Sequence, residues 1–68
     1  MNIEEKMTAI FNGAQREAIA NIDGSREERF GYQFARMSRA LALLTSQVKA
    51  EREEGKAMVR RWKHGNTF

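Results

Sequence analysis

The sequence predicts an all-α protein built as an antiparallel helical hairpin. The 68 residues include no proline, and strong helix formers dominate the composition. Large apolar residues recur at steps of three and four, which is the spacing of a single helix face. One short segment, residues 22–25, carries the signals of a helix end followed by a helix start. Together these observations predict two helices joined by a tight turn.

The first helix is predicted over about residues 3–21. Asn2 is a suitable N-cap, and Glu5 follows three residues later, where a capping box places an acid. Gly13 lies inside the helix, where it costs about 1 kcal/mol relative to alanine and permits the close approach of a partner backbone. The apolar positions that share one face are Ile3, Met7, Ile10, Phe11, Ala14 and Ala18.

The turn at residues 22–25 is predicted from three residue types. Gly24 suits the left-handed conformation that ends many helices. Ser25 is a suitable cap for the next helix, and Glu28 completes a second capping box. Because such a loop is short, the flanking helices are expected to be antiparallel neighbours.

The second helix is predicted to be long, from about residue 26 to residue 63. One face of this helix carries a stripe of apolar residues, the seam, at alternating steps of four and three residues. Its members are Phe30, Phe34, Met37, Leu41, Leu44 and Val48. After a gap, the same register places Met58 and Trp62 on the seam. A continuous helix over this range is about 57 Å long. The alternative is a break near Gly55 followed by a short third helix that folds back.

The predicted helices differ in length, and this favours a homodimer or a higher homo-oligomer. The first helix is about 28 Å long and covers only half of the seam. The chain is long enough for one domain, residues 1–68, with a frayed tail expected at 65–68. A domain this small usually needs additional stabilisation, and because the sequence has no cysteine for a disulfide, oligomerisation is the expected source. The expected architecture is a dimeric helical bundle, a build similar to that of small plasmid RNA-binding four-helix dimers, although no motif is shared.

The sequence offers no catalytic chemistry. No nucleophile stands with a base, no phosphate loop is present, and His64 is the sole histidine, interpreted as a solvated residue at a helix end. We therefore expect no enzymatic activity, no cofactor and no metal. The longest apolar run, residues 40–44, is too short for a membrane span, and the acidic N-terminus is unlike a signal peptide, so a cytoplasmic location is expected.

The charges are unevenly distributed along the chain. Residues 1–28 carry six acids and three bases, whereas residues 29–68 carry nine bases and three acids. One explanation is the ordinary placement of acids near helix starts and bases near a helix end. The other is a basic and aromatic partner-binding surface, for which the candidates are Trp62, Arg60 and Arg61, followed by Tyr32, Arg36 and Arg39.

These features predict a small non-enzymatic protein–protein interaction module, an adaptor or inhibitor that docks a helical surface on a partner protein. The alternative is a nucleic-acid-binding regulator that uses the same basic and aromatic residues. A third possibility is a structural subunit of a larger assembly, in which the seam alone makes the contacts and the basic residues stay solvated.

Overall fold

A computed structural model describes residues 2–65, and the described part of the chain forms three α-helices. They are α1 (Ile3–Asn21), α2 (Arg26–Leu44) and α3 (Lys49–His64). The all-α prediction is confirmed, and no described helix is long and apolar enough to cross a membrane. Gly65 ends α3 in the left-handed conformation, with φ 76°. The rest of the predicted frayed tail, residues 66–68, lies outside the described residues.

Local capping determines where α1 and α2 begin. The Asn2 side chain accepts a hydrogen bond from the backbone N–H of Glu5 at 2.8 Å. Ser25 and Glu28 form the reciprocal capping box, in which the Glu28 N–H donates to Ser25 Oγ at 3.2 Å. Both N-caps are confirmed, but within the described residues only the pair Ser25–Glu28 forms the complete capping box.

The prediction that Gly24 adopts a left-handed conformation is wrong. Among the described residues, Gly65 alone has a positive φ. A Cβ atom at Gly24 would lie 2.5 Å from a carboxylate oxygen of Glu28. Glycine therefore provides the space in which the Glu28 side chain folds back to complete the capping box.

The prediction of one long helix over residues 26–63 is also wrong, because the chain turns at residues 45–48. The alternative, a third helix that folds back, is present, but this helix begins at Lys49 and not after Gly55. Two hydroxyl side chains satisfy backbone groups at this turn. Thr45 Oγ1 donates to the Leu41 carbonyl at 2.8 Å, and Ser46 Oγ accepts from the Val48 N–H at 3.0 Å. Such side-chain bonds compete with the helical pattern and allow α3 to fold back along α2.

Gly55 lies in the middle of α3 and is a packing residue. A Cβ atom there would lie 2.9 Å from Leu43 Cβ and 3.0 Å from the Leu44 backbone nitrogen. The absence of a side chain lets α3 approach α2 closely. Because Arg36 lies near Trp62 and Leu43 lies near Gly55, α2 and α3 run antiparallel.

The core forms where the three helices meet and is rich in small residues. Its buried apolar members are Ala9, Ile10, Ala14, Ala18, Ala40, Leu43, Met58, Val59 and Trp62. The buried polar residue Gln33 donates weakly from Nε2 to the Phe11 carbonyl at 3.5 Å. Three helices therefore share one interior, with α1 packed against both other helices.

The predicted seam is not the core of this chain. Phe30 and Phe34 are 64% and 62% exposed, and Leu41 and Val48 are also exposed. Met37 and Leu44 pack partly against the core, and the members of the predicted seam that are buried in it are Met58 and Trp62, both on α3. The reason is that α3 folds back onto a neighbouring face of α2, which carries Gln33, Ala40 and Leu43.

Candidate functional site

Trp62 lies in the core rather than at the surface. Its side chain is 2% exposed, and Nε1 donates to Glu17 Oε2 at 2.6 Å. The ring packs on the backbone of Gly13, where a Cβ atom would lie 2.0 Å from Trp62 Cγ. The indole is therefore not available to a partner, and its observed role is to join α3 to α1.

A polar network surrounds Trp62. Arg36 Nε donates to Glu17 Oε1 at 2.8 Å, and the Arg36 guanidinium carbon lies 6.0 Å from the centroid of the Trp62 ring. Arg16 donates from Nη2 to the Trp62 backbone carbonyl. Both oxygens of the buried Glu17 carboxylate are thus satisfied, as burial of a charge requires.

The other predicted binding residues differ in their surroundings. Arg39, Arg60 and Arg61 are exposed, and none of them forms an ion pair within the described residues, whereas Tyr32 is half-buried. The structure brings Arg36 and Trp62 together, but it uses them inside the chain. The exposed arginines remain candidates for partner binding.

Sequence reasoning missed Glu17 and Gly13 as parts of the Trp62 network. The available signal was the row of small residues at Ala9, Gly13 and Ala14, which marks a place where a bulky side chain packs closely. The partner of that row was not predictable, since Trp62 and Glu17 are 45 positions apart in the sequence.

One surface of the described chain is strongly apolar and exposed. We define the apolar face as six residues on α1 and α2: Met7, Phe11, Phe30, Phe34, Met37 and Leu41. Met7, Phe11 and Met37 line one groove of about 330 Å³. Phe11 and Phe30 line a second groove of about 370 Å³. Phe11 belongs to both, so the two concave surfaces adjoin. Phe34 and Leu41 extend this surface because they follow Phe30 and Met37 at helical spacing on α2.

The area of the apolar face can be compared with that of protein interfaces. Phe11, Phe30 and Phe34 are 49%, 64% and 62% exposed, which corresponds to about 350 Å² of accessible surface. Met7 and Leu41, which are 45% and 40% exposed, and the partly buried Met37 bring the total to about 500 Å². A standard interface buries about 800 Å² per partner. In homodimer interfaces roughly 65% of the buried area is apolar. Complete coverage of the six side chains would bury an area of that order.

The border of the apolar face carries mainly uncharged polar groups. Thr8 and Asn12 line the groove beside Met7, and Gln15 and Gln33 line the groove beside Phe30. Arg26 and Arg29 also line the groove beside Phe30, and Arg29 Nε donates to the Ile22 carbonyl at 3.1 Å. The lining beside Met7 therefore carries no charge, whereas the lining beside Phe30 includes two arginines.

No group of three or more potential metal-ligating His, Cys, Asp or Glu side chains occurs within residues 2–65. No protein-family model, curated protein or solved structure matches the chain.

Proposed function

We propose that this protein is a non-enzymatic protein–protein interaction module, an adaptor or inhibitor that acts by docking helical surfaces. The exposed apolar face carries the part of this proposal that concerns self-association, and the exposed Arg39, Arg60 and Arg61 remain for a partner protein. An apolar surface of about 500 Å² is at the upper end of what a monomer leaves in water, and surfaces of that size commonly mark interaction sites.

The occupant that suits the apolar face is a second copy of the chain. In a two-fold dimer the same patch meets itself, so like charges in the middle of the patch would repel one another. The groove beside Met7, bordered by Thr8 and Asn12, avoids that repulsion. Pairing α1 and α2 of each copy would bury the aromatic side chains between four helices, as in a helical bundle.

Phe34→Gln is expected to weaken self-association by about 100-fold, because the two-fold axis removes one buried phenyl ring from each copy. Sedimentation equilibrium across a concentration series measures the effect. The matched control is Ala35→Gln, which adds the same side chain at the next exposed position, about 100° around the helix. This control is expected to associate like the native chain.

A photo-cross-linking residue at position 34 identifies the occupant directly. Cross-linked homodimer supports a second copy on the apolar face. A native chain that stays monomeric at about 100 µM, well above the micromolar range of specific contacts, contradicts it. Cross-linking to a different protein alone also rules out the second copy.

A nucleic-acid-binding regulator is the second candidate, favoured by the basic half of α3. Residues 56–64 contain four bases and no acid, and Arg60 and Arg61 are exposed. If the candidate is correct, labelled DNA or RNA binds at about 50 mM salt, and the affinity falls steeply by about 200 mM because bound counterions are released. Fluorescence anisotropy measures both quantities. Absence of binding at the lower salt concentration excludes this candidate.

A further inference from the structure

A second concave surface lies between all three helices, apart from the apolar face. It is a cleft of about 310 Å³ lined by Lys6, Leu44, Lys56, Val59 and Arg60. Three of these five residues are cations, and no acid lines the cleft. None of the six residues of the apolar face contributes to it. The cleft therefore has its own chemistry, a positive rim around aliphatic side chains.

The positive charge of the cleft is largely free to act on a ligand. Within the described residues, Lys6 and Arg60 form no ion pair. Lys56 lies 3.5 Å from Glu53, and both side chains are about half exposed, at 53% and 54%. Exposed pairs of this kind are weak. Lys56 therefore still attracts an anion despite its contact with Glu53.

The size and lining of the cleft indicate what it accepts. A volume of 310 Å³ equals that of about ten liquid water molecules, which is enough for one apolar side chain and the groups beside it. Leu44 is half-buried and Val59 is 3% exposed, so the aliphatic floor is firmly held by the core. Single-stranded nucleic acid is usually held by aromatic stacking, and no aromatic residue lines this cleft.

We infer that the cleft binds an acidic peptide segment, with one aliphatic side chain on the Leu44–Val59 floor and flanking carboxylates at Lys6, Lys56 and Arg60. This inference rests on the proposed interaction function and names its partner class. Charge complementarity supplies the attraction, and the aliphatic floor supplies the preference for an apolar residue between acids. The segment belongs to the partner protein that the module captures.

The test measures the anisotropy of a labelled synthetic peptide that has one leucine flanked by glutamates. Binding to the native chain is expected. Arg60→Gln and Lys6→Gln are each expected to weaken it about fivefold. The matched control is Arg61→Gln, since Arg61 is equally basic and exposed but does not line the cleft; its effect is expected to stay below about twofold. Circular dichroism of every variant checks that the fold is retained.

Two altered peptides examine the two parts of the inference. Replacing the glutamates by glutamine removes the charges, and replacing the leucine by alanine removes the apolar anchor; both changes are expected to weaken binding. Undetectable binding of the original peptide overturns the inference. Equal losses for Arg60→Gln and Arg61→Gln, or tighter binding of single-stranded DNA than of the peptide, also overturn it.

Sedimentation of the same samples separates this inference from the proposed function. The apolar face is intact in Arg60→Gln and Lys6→Gln, so both variants are expected to associate like the native chain. If self-association persists but the peptide does not bind, the cleft inference is wrong and the role of the apolar face stands. If the peptide binds but the chain is monomeric, the assignment of the apolar face is wrong.

Discussion

Trp62→Ala is expected to leave the chain largely unfolded at room temperature. The side chain is 2% exposed and is the largest one in the core. Truncating a buried tryptophan to alanine costs about 3–5 kcal/mol, and the core of a domain this small supplies about the same free energy of unfolding. The change also removes the Nε1 donor that Glu17 uses inside the protein. Urea denaturation followed by circular dichroism measures the loss.

Trp62→Phe is the control for this change. It keeps an aromatic ring in the core and removes the hydrogen bond to Glu17, with an expected loss of about 2 kcal/mol. All variants are compared at one protein concentration, because self-association makes the apparent stability depend on concentration. If Trp62→Ala unfolds at nearly the native urea concentration, Trp62 is not the residue that holds α3 against α1.

Gly13→Ala is expected to destabilise the protein by about 1–3 kcal/mol, although alanine is the better helix former. In an exposed helix this substitution would stabilise by roughly 1 kcal/mol. Here the new Cβ atom would lie 2.0–2.5 Å from three atoms of Trp62. The contacted atoms include the rigid ring and Trp62 Cβ, so relief requires a movement of α3 relative to α1. Thermal unfolding measures the change in stability.

Gly31→Ala is the matched control with the opposite sign. Gly31 lies inside α2, and a Cβ atom there would meet nothing within 4 Å. The expected result is a gain of up to about 1 kcal/mol, because alanine restricts the unfolded chain and favours the helix. If Gly13→Ala also raises the melting temperature, the close packing of Trp62 on the α1 backbone is refuted.

The features that could be predicted from the sequence are those set by near neighbours. The Asn2 cap acts on Glu5, and the Ser25 cap acts on Glu28, each three residues away. Because these bonds form within one turn of chain, the start of α1 and the start of α2 follow from residue types alone. Within α2 the helical period places Phe30, Phe34 and Leu41 on one side of the helix, and all three are exposed.

The end of α2 was harder to predict, because neither glycine nor proline marks it. Thr45 and Ser46 make the turn by bonding to the nearby backbone, whereas Gly55, the apparent breaker, lies inside α3. The predicted register through Gly55 was a coincidence of spacing. Once the chain turns at residues 45–48, a third helix becomes available to pack on α2.

The helical class, the two capped helix starts and the grouping of apolar side chains into faces follow from local residue patterns. Which face of α2 is buried depends on long-range packing, since periodicity groups residues without showing what covers them. That choice depends on the contacts of Trp62 with Gly13 and Glu17, which join distant parts of the chain. With α3 packed on the small-residue side, the large apolar side chains remain outside, where we propose that they meet a second copy.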